Sequence, residues 1–120
     1  MIFGKYLRGL GFAISGIAYA FRSQMNMRFH VFAAFLAVIF SIILRIAPLE
    51  WCVILFCIGS VLAAELINTS LELNVDLSSP EYNEKAGQAK DLAAAAVLTV
   101  SVISAVIGSI IFVPKIINLI

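Results

Sequence analysis

Residues 61–76 read VLAAELINTSLELNVD. Two glutamates, an asparagine and an aspartate interrupt a run that is otherwise as apolar as a membrane helix. At about 100° per residue, Glu65, Asn68, Glu72 and Asp76 fall in a stripe about 80° wide and about 16 Å long. Upstream, Trp51–Ala64 carries no charged residue but is too short to cross a bilayer, which takes about 20 residues. The helix that begins there must therefore continue through Glu65 and Asn68 to about Asp76. The acids then belong to a membrane span, toward one of its ends.

The rest of the chain agrees with a membrane reading. It has 120 residues, of which 62% are hydrophobic and 12% charged, against about a quarter charged in soluble domains. Mean hydropathy is +1.07. So small and apolar a chain could not cover a soluble core with polar surface. The net charge of +1 gives no basic excess for nucleic acid. Two further apolar stretches, Phe29–Ala47 and Leu92–Val113, are long enough to span. The reading is one all-α integral membrane domain, residues 1–120, with spans at about 28–47, 50–75 and 90–114. Ahead of them FGKYLRGLGFAISGIAYAFR, residues 3–22, carries Lys5, Arg8 and Arg22 among apolar residues. It reads as an amphipathic helix lying on the membrane surface.

With three spans, Lys5, Arg8, Arg22, Arg28, Lys85 and Lys90 share one side, and Arg45 and Lys115 the other. The excess places the N-terminus and the 77–91 loop in the cytoplasm. Pro48 breaks the chain between the first two spans. Ser79-Pro80-Glu81 has the residue order of a helix start, so the third helix is expected to begin inside the loop. Cys52 and Cys57 point to different helix faces and read as small buried hydrophobes.

Polar groups facing lipid are very costly, so the stripe must face protein, water or a ligand. Acids in a row repel and call for a cation, for which Mg²⁺, Lys90, Arg22 and Arg28 are the candidates. Polar glue between helices normally uses a single Asn or Ser. An ion path would place ionisable groups across the full membrane depth, whereas Cys52–Ala64 has no charged residue. Asn68-Thr69-Ser70 matches a glycosylation pattern, but inside a span it is a chance match. Lys90 and Asp91 stand where the loop meets the third span, and Ala93–Ala96 permits close helix approach, which would bring Lys90 toward the acids. His30, the one histidine, reads as an interfacial or packed residue. No glycine-rich phosphate cradle is present. Carboxylates, a lysine and an interfacial location suit phosphoryl transfer, which on the residues alone is one reading among several.

Glu65-Leu-Ile-Asn68-Thr-Ser-Leu-Glu72, then Asp76, then Ala89-Lys90-Asp91 and Ala95-Ala96-Val97, resemble the signature of the small bacterial membrane lipid kinases, the diacylglycerol kinase and undecaprenol kinase family. The likeness runs from about Lys5 to Lys115. It implies a homotrimer with sites between subunits, a membrane lipid substrate, Mg²⁺, and ATP bound without a P-loop, in the bacterial plasma membrane. It also implies roles. Glu65 would be the general base toward the lipid hydroxyl and Asn68 would orient the reacting groups. Glu72 would hold Mg²⁺. Lys90 would contact ATP phosphates, with Asp91 positioning Lys90 or the nucleotide. Asp76, Arg28 and Lys5 would lie toward the nucleotide. The family normally has a second acidic metal ligand where this chain has Gln24, whose amide oxygen can ligate but brings no charge. That departure leaves open a metal-impaired, non-catalytic binding protein. Met25–His30 and Ile110–Lys115 resemble the undecaprenol branch, which puts undecaprenol ahead of diacylglycerol as substrate.

Overall fold

A bilayer core offers no water to backbone N–H and C=O groups, so an apolar chain must satisfy them within each segment. The computed structural model, which describes Met1–Ile120, does this with four helices and no strand. They are α1 (Ile2–Ser23), α2 (Met25–Ile43), α3 (Pro48–Ser78) and α4 (Glu84–Leu119). The last three are long and apolar enough to cross a membrane. At 1.5 Å per residue α2 is about 28 Å long, close to the hydrocarbon thickness, whereas α3 and α4 reach about 46 and 54 Å and overshoot it. Their ends therefore stand in the interface or beyond it. Only 10 of the 120 residues are buried, and phenylalanines, leucines and isoleucines are exposed on every helix. A water-soluble domain could not leave its apolar side chains so placed.

Five hydroxyls within the spans are satisfied locally. Thr69, Ser41, Ser60, Thr99 and Ser109 each donate to the carbonyl four residues back, at 2.7–2.9 Å. Such bonds let a polar side chain sit in an apolar helix without a partner from elsewhere.

Helices α3 and α4 form the most extensive pair in the molecule. An ion pair ties them at each end: Glu50 to Lys115 at 3.1 Å, and Asp76 to Lys90. These lie about 39 Å apart along α3 and about 37 Å along α4, so the two helices run antiparallel in matched register. Pro114 stands inside α4, which nevertheless continues to Leu119.

Each junction has its own chemistry. Gln24 is extended (φ −115, ψ 117) between α1 and α2. The Arg28 guanidinium reaches back to donate to the Phe21 and Arg22 carbonyls, both at 2.9 Å, closing α1 with a cation at its negative end. Ala20 and Met27 are buried beside this corner. Helix α2 stops at Ile43, short of the expected 47. Arg45 adopts a left-handed φ of 52, its N–H bonds to the Ile42 carbonyl, and the Ile46 N–H bonds to the Ser41 carbonyl. This is a Schellman closure with arginine where glycine is usual, held by the burial of Ile46. Pro48 opens α3 at its first position, where its missing N–H costs nothing, and Glu50 accepts from the Ala47 N–H at 2.9 Å.

The start of α4 differs from the sequence expectation. The helix does begin in the loop, but at Glu84. The cap is Asn83, whose side chain accepts from the N–H groups of Lys85 and Ala86 at 2.9 and 3.3 Å. Ser79 instead ends α3, its N–H bonded to the Val75 carbonyl at 2.8 Å. A two-bond asparagine cap outcompetes Ser79, whose hydroxyl reaches only the Glu81 carbonyl at 3.5 Å.

Candidate active site

The 3.6-residue period carries Glu65, Asn68, Glu72 and Asp76 along one face of α3, and burial falls steadily along it. Glu65 is 1% exposed and Asn68 5%. Glu72 is half-buried, and the Asp76 side chain is 63% exposed. The seam is thus closed at Glu65 and open at the end where α3 overshoots the hydrocarbon. The Asp76 end is therefore the one exposed to solvent, while the Glu65 end is enclosed by neighbouring helices.

Several partners organise the seam. The Asn68 side-chain amide donates to Glu72 Oε1 at 3.2 Å, fixing the amide so that its oxygen points elsewhere. Thr69, 4% exposed, donates to the Glu65 backbone carbonyl at 2.9 Å. His30 reaches across from α2, with Nε2 3.9 Å from Glu65 Oε2. Both Glu65 carboxylate oxygens and Asn68 Oδ1 are buried without a hydrogen-bond partner. Buried polar atoms left unpaired are expensive, and three of them on successive turns mark a place prepared for an incoming group.

The structure brings Lys90 to the open end of the seam, paired with Asp76 across the α3–α4 interface. This is the approach expected from the small-residue run of α4. Asp91, next to it, is exposed and enters no ion pair, so Asp76 rather than Asp91 holds the Lys90 ammonium. Arg28 is occupied with the α1 carbonyls. Lys5 is exposed on the first turn of α1, and Gln24 is half-buried at the α1–α2 corner. His30 and Thr69 join the site without having been expected there. Thr69 was legible, being one turn from Glu65. His30 was not, because its approach depends on how α2 is set against α3.

No cluster of three His, Cys, Asp or Glu side chains able to hold a metal is formed by this chain. The Glu72 carboxylate nonetheless fits magnesium as a charged oxygen donor, held by the Asn68 amide that donates to one of its oxygens. Magnesium bound with a nucleotide takes one or two carboxylates and fills its remaining positions with water and phosphate oxygens.

Such a seam can accept a proton at a buried carboxylate, hold a divalent cation beside it, and offer an ammonium group toward water. Those are the parts phosphoryl transfer requires. Residues 11–112 match the family described as prokaryotic diacylglycerol kinase. The chain belongs to that family. It is 36% identical over 111 residues to an undecaprenol kinase of Bacillus subtilis, covering 92% of this chain and 90% of that protein. It is 33% identical over 109 residues to a diacylglycerol kinase of Synechocystis, covering 90% of this chain and 62% of that protein. It is 30% identical over 105 residues to the diacylglycerol kinase of Escherichia coli K12, covering 88% and 85%. The family resemblance read from the Glu65–Asp91 motifs is therefore borne out, and with it a multi-pass membrane protein of lipid phosphotransferase type.

Proposed function

We propose that this family member transfers the γ-phosphate of ATP to the hydroxyl of a membrane lipid, with undecaprenol the preferred acceptor and diacylglycerol the alternative. The observation that carries this is the graded seam of α3, partnerless and buried at Glu65 and open at the Asp76–Lys90 pair. It offers a dry base to a lipid at one end and, through Lys90 of α4, a wet cation to a nucleotide at the other. Identity to the undecaprenol kinase exceeds that to the diacylglycerol kinases, which favours the longer-chain alcohol.

In the proposed reaction the lipid arrives laterally and its hydroxyl gives a proton to Glu65. Its oxygen forms a bond to the γ-phosphorus as the bond from phosphorus to the β–γ bridging oxygen breaks. ADP departs carrying that electron pair, and the proton remains on Glu65 until the site reopens to water. Asn68 holds Glu72 and keeps its own oxygen directed into the seam. Lys90 leaves Asp76 to meet the phosphates, with Asp91, Lys5 and Arg28 nearer the nucleotide's outer part. Glu72, with Gln24, would hold Mg²⁺, which when bound neutralises phosphate charge.

The same reading sets the molecule in the bacterial plasma membrane with the N-terminus and the loop before α4 in the cytoplasm, where ATP is found. Helix α1 would lie on that surface. Its Lys5, Arg8 and Arg22 share a sector about 100° wide, with apolar side chains over the remainder. The family resemblance implies a homotrimer, and Glu72, only half-covered by its own chain, leaves room for a neighbouring copy to complete the site.

The direct test is transfer of label from γ-labelled ATP by purified protein in mixed micelles or nanodiscs, with undecaprenol and diacylglycerol supplied side by side. Faster labelling of undecaprenol is expected. Label in neither lipid would overturn the kinase reading, and faster labelling of diacylglycerol would overturn the substrate preference. Gln24 favours a second reading, a binding protein with impaired metal affinity, which predicts nucleotide binding without turnover in that same assay.

A further inference from the structure

Glu65 is buried to 1% exposure with neither carboxylate oxygen hydrogen-bonded. A base needs one oxygen directed at the hydroxyl it deprotonates, and a carboxylate tethered only by its own side-chain torsions points nowhere in particular. Its neighbours on α3 are already engaged: the Asn68 amide donates to Glu72, and the Thr69 hydroxyl donates to the helix backbone. The remaining donor is His30 of α2, with Nε2 3.9 Å from Glu65 Oε2 and a side chain only 14% exposed. The neighbouring Phe29 ring meets the imidazole edge-on, centroids 5.7 Å apart at 73°, which restricts its tilt. The imidazole also lines an apolar cleft of about 530 Å³ between α2, α3 and α4, with Ala37, Ile54, Val61 and Phe112. It therefore stands between hydrocarbon on one side and the acid on the other.

We propose that His30 is a positioning residue for Glu65: its Nε2–H donates to one carboxylate oxygen and leaves the other aimed at the lipid hydroxyl. The inference rests on the kinase reading above and deepens it. The separation exceeds hydrogen-bond range by about 0.7 Å, as catalytic hydrogen bonds often do before substrate tightens them. The work of the imidazole is to choose which oxygen is free.

Because the chain has one histidine, its ring-nitrogen NMR signals are unambiguous. In the full-length protein in nanodiscs, the proton should reside on Nε2, and Glu65→Gln should shift that nitrogen's resonance. A signal indifferent to Glu65→Gln, or a proton on Nδ1, overturns the contact whether or not the protein turns over. In the labelled-ATP assay, His30→Ala should lower kcat by about 10- to 100-fold, as losing the partner that orients a working side chain does elsewhere, with KM for ATP unchanged. His30→Gln, which keeps a donor, should recover most of that loss. His30→Ala placed on top of Glu65→Gln should cost nothing further. Equal losses in His30→Ala and His30→Gln, a loss carried by KM, or additive losses in the double variant would each overturn the proposal. A wild-type protein that labels neither lipid would fell the kinase reading instead, and with it the positioning role, while the NMR result would still decide the contact.

Discussion

Replacing Glu65 by glutamine separates chemistry from folding more cleanly than any other change in this chain. The two side chains are isosteric, so the substitution removes a charge and a proton acceptor but no volume. Neither Glu65 oxygen is hydrogen-bonded, so no bond supporting the fold is lost. Removing a positioned base costs about 10²- to 10⁴-fold in rate, which is about 2.7–5.4 kcal/mol of transition-state free energy at 1.36 kcal/mol per decade. The geometry selects the upper part of that range. The next acids on the stripe, Glu72 and Asp76, stand about 10 and 16 Å along the axis, too far to accept the same proton. Glu72 is further restrained by Asn68. The assay is the rate of label transfer at saturating ATP, paired with the unfolding midpoint in denaturing detergent. The expected result is a rate lowered by about three orders of magnitude or more and a midpoint unchanged or raised, since a buried carboxyl without a hydrogen bond has gone. A variant that keeps more than a tenth of the wild-type rate would refute the assignment of Glu65 as base. One whose rate falls only in step with its midpoint would show that the carboxylate supports the fold.

Other changes probe the remaining parts of the seam. Lys90→Ala should lower turnover by about 100-fold or more through loss of charge on the phosphates, and Asp76→Asn should cost far less. An ion pair this exposed, 39% and 63%, contributes only about 0–1 kcal/mol to stability. Equal losses in the two variants would mean that the ion pair, not a phosphate contact, is what Lys90 supplies. Gln24→Glu adds a charged oxygen ligand and should lower the Mg²⁺ concentration needed for half-maximal turnover; an unchanged magnesium titration would remove Gln24 from the metal site. Arg28→Ala deletes both hydrogen bonds that close α1 and should loosen that helix by about 1 kcal/mol. Faster amide exchange in α1 with α3 unchanged is the expected signature, and unchanged exchange in α1 would show that Ala20 and Met27 hold the corner without it.

The acid seam was legible in the sequence because it lies on a single helix. A 3.6-residue period fixes which of Glu65, Asn68, Glu72 and Asp76 share a face before any tertiary contact forms. The number of spans was legible for a similar reason: bilayer thickness and the cost of unpaired backbone in lipid leave three long apolar runs no other course. Pro48 and the small-residue run of α4 likewise announced a boundary and a close approach. Which side chains pair across two helices was not legible. That His30 faces Glu65 depends on the rotation and register of α2 against α3. Those are set by the Arg45 turn and the burial of Ile46, and no glycine announces that turn. Asp76 rather than Asp91 takes Lys90 because the α3–α4 register, pinned by Glu50 and Lys115 at the far end, brings the two together. Periodicity belongs to one helix and can be read along it, whereas register is a property of packed pairs, and only the assembled fold decides it.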